Sequence, residues 1–298
     1  MAPDASNVGK VDAQNVGQYV CNGVWSGTLQ ACSPSLKRLP QMAREQIHLT
    51  LIDGPTLLIE IGGIRLLTDP TFDQPQVYSS GGNSREKFNA PSIPSEALLP
   101  IQVVLLSHDQ HGDNLDGAGR AFLPKAGTVI STTGAAERLA ANTQGLAPWS
   151  STTLALSDGR TLTITATPAR HGPAGFERVN GDVIGFILSI DGGPCVYISG
   201  DTVWYSEIAE IAHRFDIRLA VLFAGAAQPK GPFNVSMNTN DAIEAATAMP
   251  RAKITAVHNL GWSHYKQNQA DLVTAFGAVG LAEQFQQLTP GIPLALEI

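Results

Sequence analysis

The chain has 298 residues, 43% hydrophobic and only 15% charged, with a formal net charge of −7. That is enough apolar material for a full core, in one large domain or two fused halves. An acidic balance without a Lys/Arg cluster argues against a nucleic-acid partner, and plentiful Gly (29) and Pro (19) suit a loop-rich α/β or α+β enzyme better than a helical bundle.

Residues 1–45 show no clean periodicity and read as an N-terminal extension with one short helix near 36–46. Tyr19 and Trp25 give this segment something to pack with, including a second copy of the chain in a homo-oligomer. The start, Met1-Ala2-Pro3-Asp4-Ala5, lacks the basic flank and apolar stretch of a secretory signal. No apolar run reaches membrane-spanning length. Cys21, Cys32 and Cys195 form an odd set without a C-x-x-C pair, so reduced thiols are the simpler reading, with Cys195 as a small core residue. A cytoplasmic protein without a membrane partner is expected.

Residues 46–298 read as the main domain. Ile47–Ile52, Thr56–Ile61 and Ile64–Asp69 are three strands joined by turns at Asp53-Gly54-Pro55 and Gly62-Gly63, a β-meander. Residues 70–100, with five prolines and Gly81-Gly82, read as a long loop of the kind that serves as a lid. Val103-Val104-Leu105-Leu106 is a short buried strand. Further strands are expected at 127–131, 161–167, 183–190, 195–199, 219–223 and 254–257, and helices at 135–142, 204–214, 239–249 and 268–284. The first half is rich in hairpins and the second alternates strand with helix, which a two-sheet core with helices outside would satisfy.

The strand at 103–106 runs into Ser107-His108-Asp109-Gln110-His111-Gly112-Asp113-Asn114-Leu115-Asp116. A packed core has no use for such a cluster, because each buried polar group needs a partner. Neutral imidazoles with carboxylates are a ligand set for Zn, Mn or Fe. Three more strand ends carry ligand-type residues: His171 in Arg170-His171-Gly172, Asp201 in Ser199-Gly200-Asp201-Thr202, and His258 in Val257-His258-Asn259. Taken singly, His171 and His258 read as satisfied imidazoles and Asp201 as a helix N-cap. Their shared place at the C-terminal ends of strands points instead to one rim, where α/β folds commonly bind ligands.

The order strand–His-x-x-His-x-Asp–strand–His–strand–Asp–strand–His resembles the metallo-β-lactamase fold superfamily over roughly residues 47–265. Thr56–Glu60 with Leu67-Thr68-Asp69-Pro70, and Val257–Tyr265, look like the opening hairpins and final metal segment of its lactonase and phospholipase-D-like branch. The resemblance implies a four-layer αββα sandwich holding one or two divalent metal ions (Zn, Mn or Fe). By the same resemblance His108, His111 and His171 would hold one ion, Asp113 and His258 a second, and Asp201 would bridge them. Two cations roughly 3.5–4 Å apart can share and acidify a water.

The chain departs from the family's His-x-His-x-Asp-His spacing, with Gln110 as an extra residue and Asn114 where the last His should stand. Both His108 and His111 can ligate only if the loop bulges at Gln110. Asn114, an amide-oxygen ligand, is a harder and weaker donor than imidazole, so the second site should be weakened or tilted toward Mn or Fe. Asp113 can also orient the nucleophile, and His264 can protonate a leaving group, with Tyr265 beside it. Asp116 is a candidate for bonding a ligand His, Asp69 a structural residue, and Arg170, Arg178, Lys230 and Lys266 candidates for receiving an anionic group. His48 and His213 are incidental.

The expected activity is hydrolysis of a small-molecule substrate, a metal-bound hydroxide opening a lactone or related carbonyl ester. The alternatives are a phosphodiesterase on the same fold, an iron oxidoreductase, and a non-catalytic binding module.

Overall fold

The computed structural model describes residues 45–80, 83–139 and 141–298. Cys21, Cys32, Tyr19 and Trp25 lie outside them. Of the helix expected near 36–46 only Glu45 and Gln46 are described, and Gln46 opens a strand.

The chain begins with β1 (Gln46–Asp53), β2 (Thr56–Ile61) and β3 (Ile64–Thr68), then β4 (Gln76–Ser80), β5 (Asn83–Lys87) and β6 (Val103–Leu105). Next come α1 (Gly117–Phe122), β7 (Thr128–Thr132), α2 (Thr133–Arg138), β8 (Thr143–Leu146), β9 (Ser151–Ala155) and β10 (Thr161–Pro168). The remainder is α3 (Glu177–Asn180), β11 (Ile184–Ile190), β12 (Cys195–Ile198), α4 (Ser206–Arg214), β13 (Ile217–Phe223), α5 (Thr239–Ala248), β14 (Lys253–Val257), α6 (Gln269–Ala278) and β15 (Leu294–Glu297).

Two sheets form the core. One has seven strands in the order β15-β1-β2-β3-β6-β7-β8, and the other six in the order β14-β13-β12-β11-β10-β9. Ile47, Leu49, Leu57, Ile59 and Val103 of the first meet Leu162, Ile164, Phe186, Val196 and Val221 of the second, all at most 1% exposed. The outer faces are covered too. Tyr197, Ala220 and Leu222 pack against Ile208 and Ile211 of α4, Ala245 of α5 and Phe276 of α6. Leu58, Leu67, Val104 and Val129 pack against Phe122 of α1 and Leu98. Burial on both faces explains why β2 and β13 are nearly continuous apolar runs rather than alternating ones. The result is the expected four-layer αββα sandwich.

Three expectations need correction. Residues 70–100 are not one loop: β4 and β5 pair as an antiparallel ribbon within them, and Ser95–Leu98 makes a turn of 3₁₀ helix. The helix expected at 135–142 occupies 133–138, because the Asn142 amide donates to the carbonyls of Leu123 and Ala126 and turns the chain into β8. The last helix stops at Ala278 rather than 284, since Gly280 takes φ +77° and Leu281 N–H returns to the Phe276 carbonyl at 2.8 Å, a glycine-dependent helix stop. Cys195 is buried and free. Among the described residues no helix is long and apolar enough to cross a membrane.

One feature of the topology places the site. β10 is antiparallel to β11, β11 is antiparallel to β12, and β12, β13 and β14 are mutually parallel. So β10, β12 and β14 run the same way and their C-terminal ends share one rim.

Candidate metal centre

His108 follows β6, His171 follows β10, Asp201 follows β12 and His258 follows β14. The loop after β6 is fixed at its root by the buried Asp69 carboxylate, which accepts the Ser107 N–H at 2.6 Å. Ser107 Oγ stands 2.9 Å from His108 Nδ1, which turns Nε2 of that ring inward. His171 Nδ1 lies 2.6 Å from the Val235 carbonyl, so it donates there and its Nε2 is left with a lone pair. Two close approaches demand glycine. A Cβ on Gly200, before Asp201, would come within 2.5 Å of the Ile184 carbonyl, and one on Gly225 within 2.0 Å of the His258 carbonyl. His258 takes φ +58°, anchored by its N–H to the Gly54 carbonyl at 2.8 Å and by stacking on Phe223.

Two groups of ligand-type atoms result: His108, His111 and His171, and Asp113, Asp201 and His258, each with its atoms within 4.8 Å of one another. His111 Nδ1 is 2.9 Å from His108 Nε2 and 3.1 Å from His171 Nε2. Asp201 reaches toward both groups, with Oδ2 3.7 Å from His171 Nε2 and Oδ1 3.4 Å from His258 Nδ1. Asp113 Oδ2 lies 3.3 Å from His258 Nε2 and 2.7 Å from His264 Nε2. With Gln110 between them in sequence, His108 and His111 both point into the first group.

Electrostatics prepares these groups for a cation. Burial pushes His111 down to about 4 and His171 down to about 3, and it holds His108 well below the usual imidazole value, so all three are neutral donors at neutral pH. Burial also lowers His258. Burial works to raise the Asp113 carboxyl, but the His264 and His258 imidazoles beside it hold it well below the ordinary range. Burial and the neighbouring Asp113 and Asp69 charges push Asp201 well above it. Burial raises Asp69 to about 7.

The residues fit a metal on two counts. Three inward ring nitrogens can share at most one or two protons, so their close approach leaves facing lone pairs that a cation would satisfy. In addition Asp201 Oδ1, both ring nitrogens of His258 and the Asn114 amide oxygen are buried without a hydrogen-bond partner. Asn114 is fully buried beside Asp69 and Asp201, whose ionised forms its amide favours.

Other candidates fall elsewhere. Asp116 touches no ligand histidine. It caps α1 through the Gly119 N–H and receives Lys87 Nζ at 3.1 Å, with Asp53 3.0 Å from the same nitrogen. Asp201 caps no helix, since α4 begins at Ser206 with Tyr205 before it. Tyr265 packs its ring 4.3 Å from that of His258, with a buried hydroxyl that lacks a partner. Arg170 stacks on Tyr205 and Lys266 bonds the Ser263 carbonyl, away from the centre. Arg178 is an exposed residue of α3.

A cavity of about 420 Å³ opens onto the centre beside His111 and Asp113, walled by Tyr78, Arg85, Lys230 and Trp262. His111 is the one member of its trio that is not fully buried, so access runs past it. Arg85, Tyr78 and the buried Lys87 were not foreseen from sequence. They lie on the β4–β5 ribbon, whose polar run gives no apolar signal. A larger hollow of about 720 Å³ at the β2–β3 turn includes none of the metal-type groups found among the described residues.

A profile described as the Beta-lactamase superfamily domain matches residues 64–259. The chain is 26% identical over 233 residues to a UPF0173 metal-dependent hydrolase of Pyrobaculum aerophilum, covering 76% of this chain and 91% of that one. It is 24% identical over 234 residues to an N-acyl-phosphatidylethanolamine-hydrolyzing phospholipase D of Caenorhabditis elegans, covering 72% of this chain and 64% of that one. Among solved structures, an isothiocyanate hydrolase from Delia radicum gut bacteria superposes with a TM-score of 0.73 at 25% identity, over 84% of this chain and 98% of that one.

Proposed function

The chain belongs to the β-lactamase superfamily domain family as a metal-dependent hydrolase, and from that premise we propose that it opens a lactone or a related carbonyl ester. The observation that carries the reading is the junction at Asp201, whose two oxygens face His171 on one side and His258 on the other. In this reading His108, His111 and His171 would hold one divalent ion, and Asp113, His258 and Asp201 would hold a second. Asn114 adds a neutral oxygen to the second site, which suits Mn or Fe at least as well as Zn. The bound cations would supply an acidified water and a Lewis acid for the scissile carbonyl.

The remaining chemistry belongs to the side chains. Asp113 orients the attacking water and takes up the proton it loses, and the His264 imidazole hydrogen-bonded to Asp113 relays that proton toward the leaving alkoxide. Tyr78 and Trp262, with ring centroids 5.1 Å apart, wall off bulk water on the ribbon side. Phosphodiester cleavage is the second reading, favoured by Arg85 and Lys230 at the mouth of the cavity.

The test is hydrolysis by protein loaded with Zn, Mn or Fe, on γ- and δ-lactones followed by proton release and on bis(4-nitrophenyl) phosphate. Chelator-sensitive lactone opening is expected. Turnover of the phosphodiester alone would overturn the ester assignment, and no chelator-sensitive turnover with any metal would overturn the hydrolytic reading.

A further inference from the structure

We infer that Arg85 and Lys230 form an anion-holding pair beside the metal centre, and that the substrate carries a carboxylate a few atoms from its scissile carbonyl. This rests on the ester-hydrolase reading and adds the substrate's charge to it.

The ribbon aims Arg85. Alternate residues of a strand share a face, so Arg85 and Lys87 of β5 point the same way, and Lys87 points inward to Asp53 and Asp116, fully buried. Tyr78 is the cross-strand partner of Arg85 and shares that face, its hydroxyl donating to Asp73 at 2.7 Å. The Arg85 guanidinium is thereby held over the cavity by a strand whose next inward residue is locked in the core. Lys230 approaches from the other wall. Its Nζ donates to Asn180 Oδ1 at 2.9 Å, and the Asn180 amide donates to the His171 carbonyl at 2.8 Å. Both cations are therefore positioned relative to the ligand histidines.

What they lack is an anion of their own. Among the described residues Asp113 is the single carboxylate lining this cavity, and it is engaged by His258 and His264. Arg85 Nη1 approaches it only to 3.5 Å, long for a charge-assisted bond. Among the described residues Lys230 makes no ion pair, and its bonded partner is an uncharged amide. Burial and the repulsion of Arg85 both lower its pKa. In a chain of net charge −7, two cations facing one cavity whose one carboxylate is already shared with two histidines form a receptor for a further anion. A guanidinium fork matches a planar carboxylate, and an ammonium serves as the second point charge. The aromatic wall of Tyr78 and Trp262 leaves room for a flat or apolar body between that carboxylate and the centre.

Binding tests this without turnover. Phenylacetate and its neutral isostere 2-phenylacetamide are titrated calorimetrically into the full-length, metal-loaded protein and into chelator-treated protein. We expect phenylacetate to bind about tenfold more tightly in both forms. Arg85→Gln should remove most of that preference, Lys230→Gln about fivefold of it, and Arg85→Lys should restore part. Equal affinity for acid and amide would overturn the inference. So would a preference that survives in the double Arg85→Gln/Lys230→Gln variant or vanishes with the metal, since the ions would then hold the carboxylate. Failure of the ester-hydrolase reading would show up separately, as absent turnover with the binding preference intact.

Discussion

His264 Nε2 stands 2.7 Å from Asp113 Oδ2, a contact that closes 151 residues of chain and ties the final loop to the loop after β6. His264 thus fixes the carboxylate that would serve the second ion. His264→Ala should cut turnover about 10- to 100-fold, the usual cost of losing a partner behind a ligand. It should also lower occupancy of the second site while the three-histidine site stays filled. Elemental analysis of the variant checks this, and unchanged stoichiometry with unchanged rate would show the contact to be idle.

The two sites differ in donors: three imidazoles in one, and in the other two carboxylates and one imidazole with the Asn114 amide nearby. Stepwise chelation should therefore release metal in two phases, the weaker ion first, with manganese or iron competing best for that position. A single release phase, or two equally tight zinc ions per chain, would contradict the assignment.

Lys87 is 1% exposed, and its ammonium is shared by two buried carboxylates, Asp53 and Asp116. Lys87→Met leaves both uncompensated and should cost about 3–5 kcal/mol. Urea unfolding of metal-loaded protein reads this directly. A loss below about 1 kcal/mol would mean that the carboxylates take up protons at little cost.

Acid should unfold the metal-free protein through its histidines. His108, His111, His171 and His258 all have folded values below the ordinary 6.5, so the unfolded chain binds protons that the folded chain refuses. Stability falls as pH drops from about 6.5 toward 4, by about 1.4 kcal/mol per pH unit for each group. Asp69 and Asp201, raised by burial, act in the opposite sense over the same range, and the smaller upward shifts of Asp53 and Asp241 join them only at its acidic end, so the four histidines prevail in its upper part. Thermal melts of chelator-treated protein should show Tm decreasing through that window, and a flat profile would refute the assignment of neutral buried histidines.

Much of the site was legible in the sequence because its chemistry sits at strand ends. An apolar run that breaks into His or Asp is visible without coordinates, and the runs before His108, His171, Asp201 and His258 all break that way. The ribbon was not legible. Its strands, Gln76–Ser80 and Asn83–Lys87, are mostly polar, and the one residue that anchors it in the core is a lysine. Only the distant partners Asp53 and Asp116 make that burial intelligible, and their proximity is a product of the fold. Helix ends were misjudged for a related reason: the Asn142 side-chain amide and the Gly280 backbone redirect the chain through contacts that composition does not announce.

The candidate ligands come from both layers of the sandwich. His108, His111 and Asp113 follow β6 of one sheet, while His171, Asp201 and His258 follow strands of the other. No strand is common to the two sheets, and along this rim a bound cation would act as a clasp between them. Losing the ion would then loosen the molecule as well as silence it, and the edge that gapes would be the one through which substrate must enter.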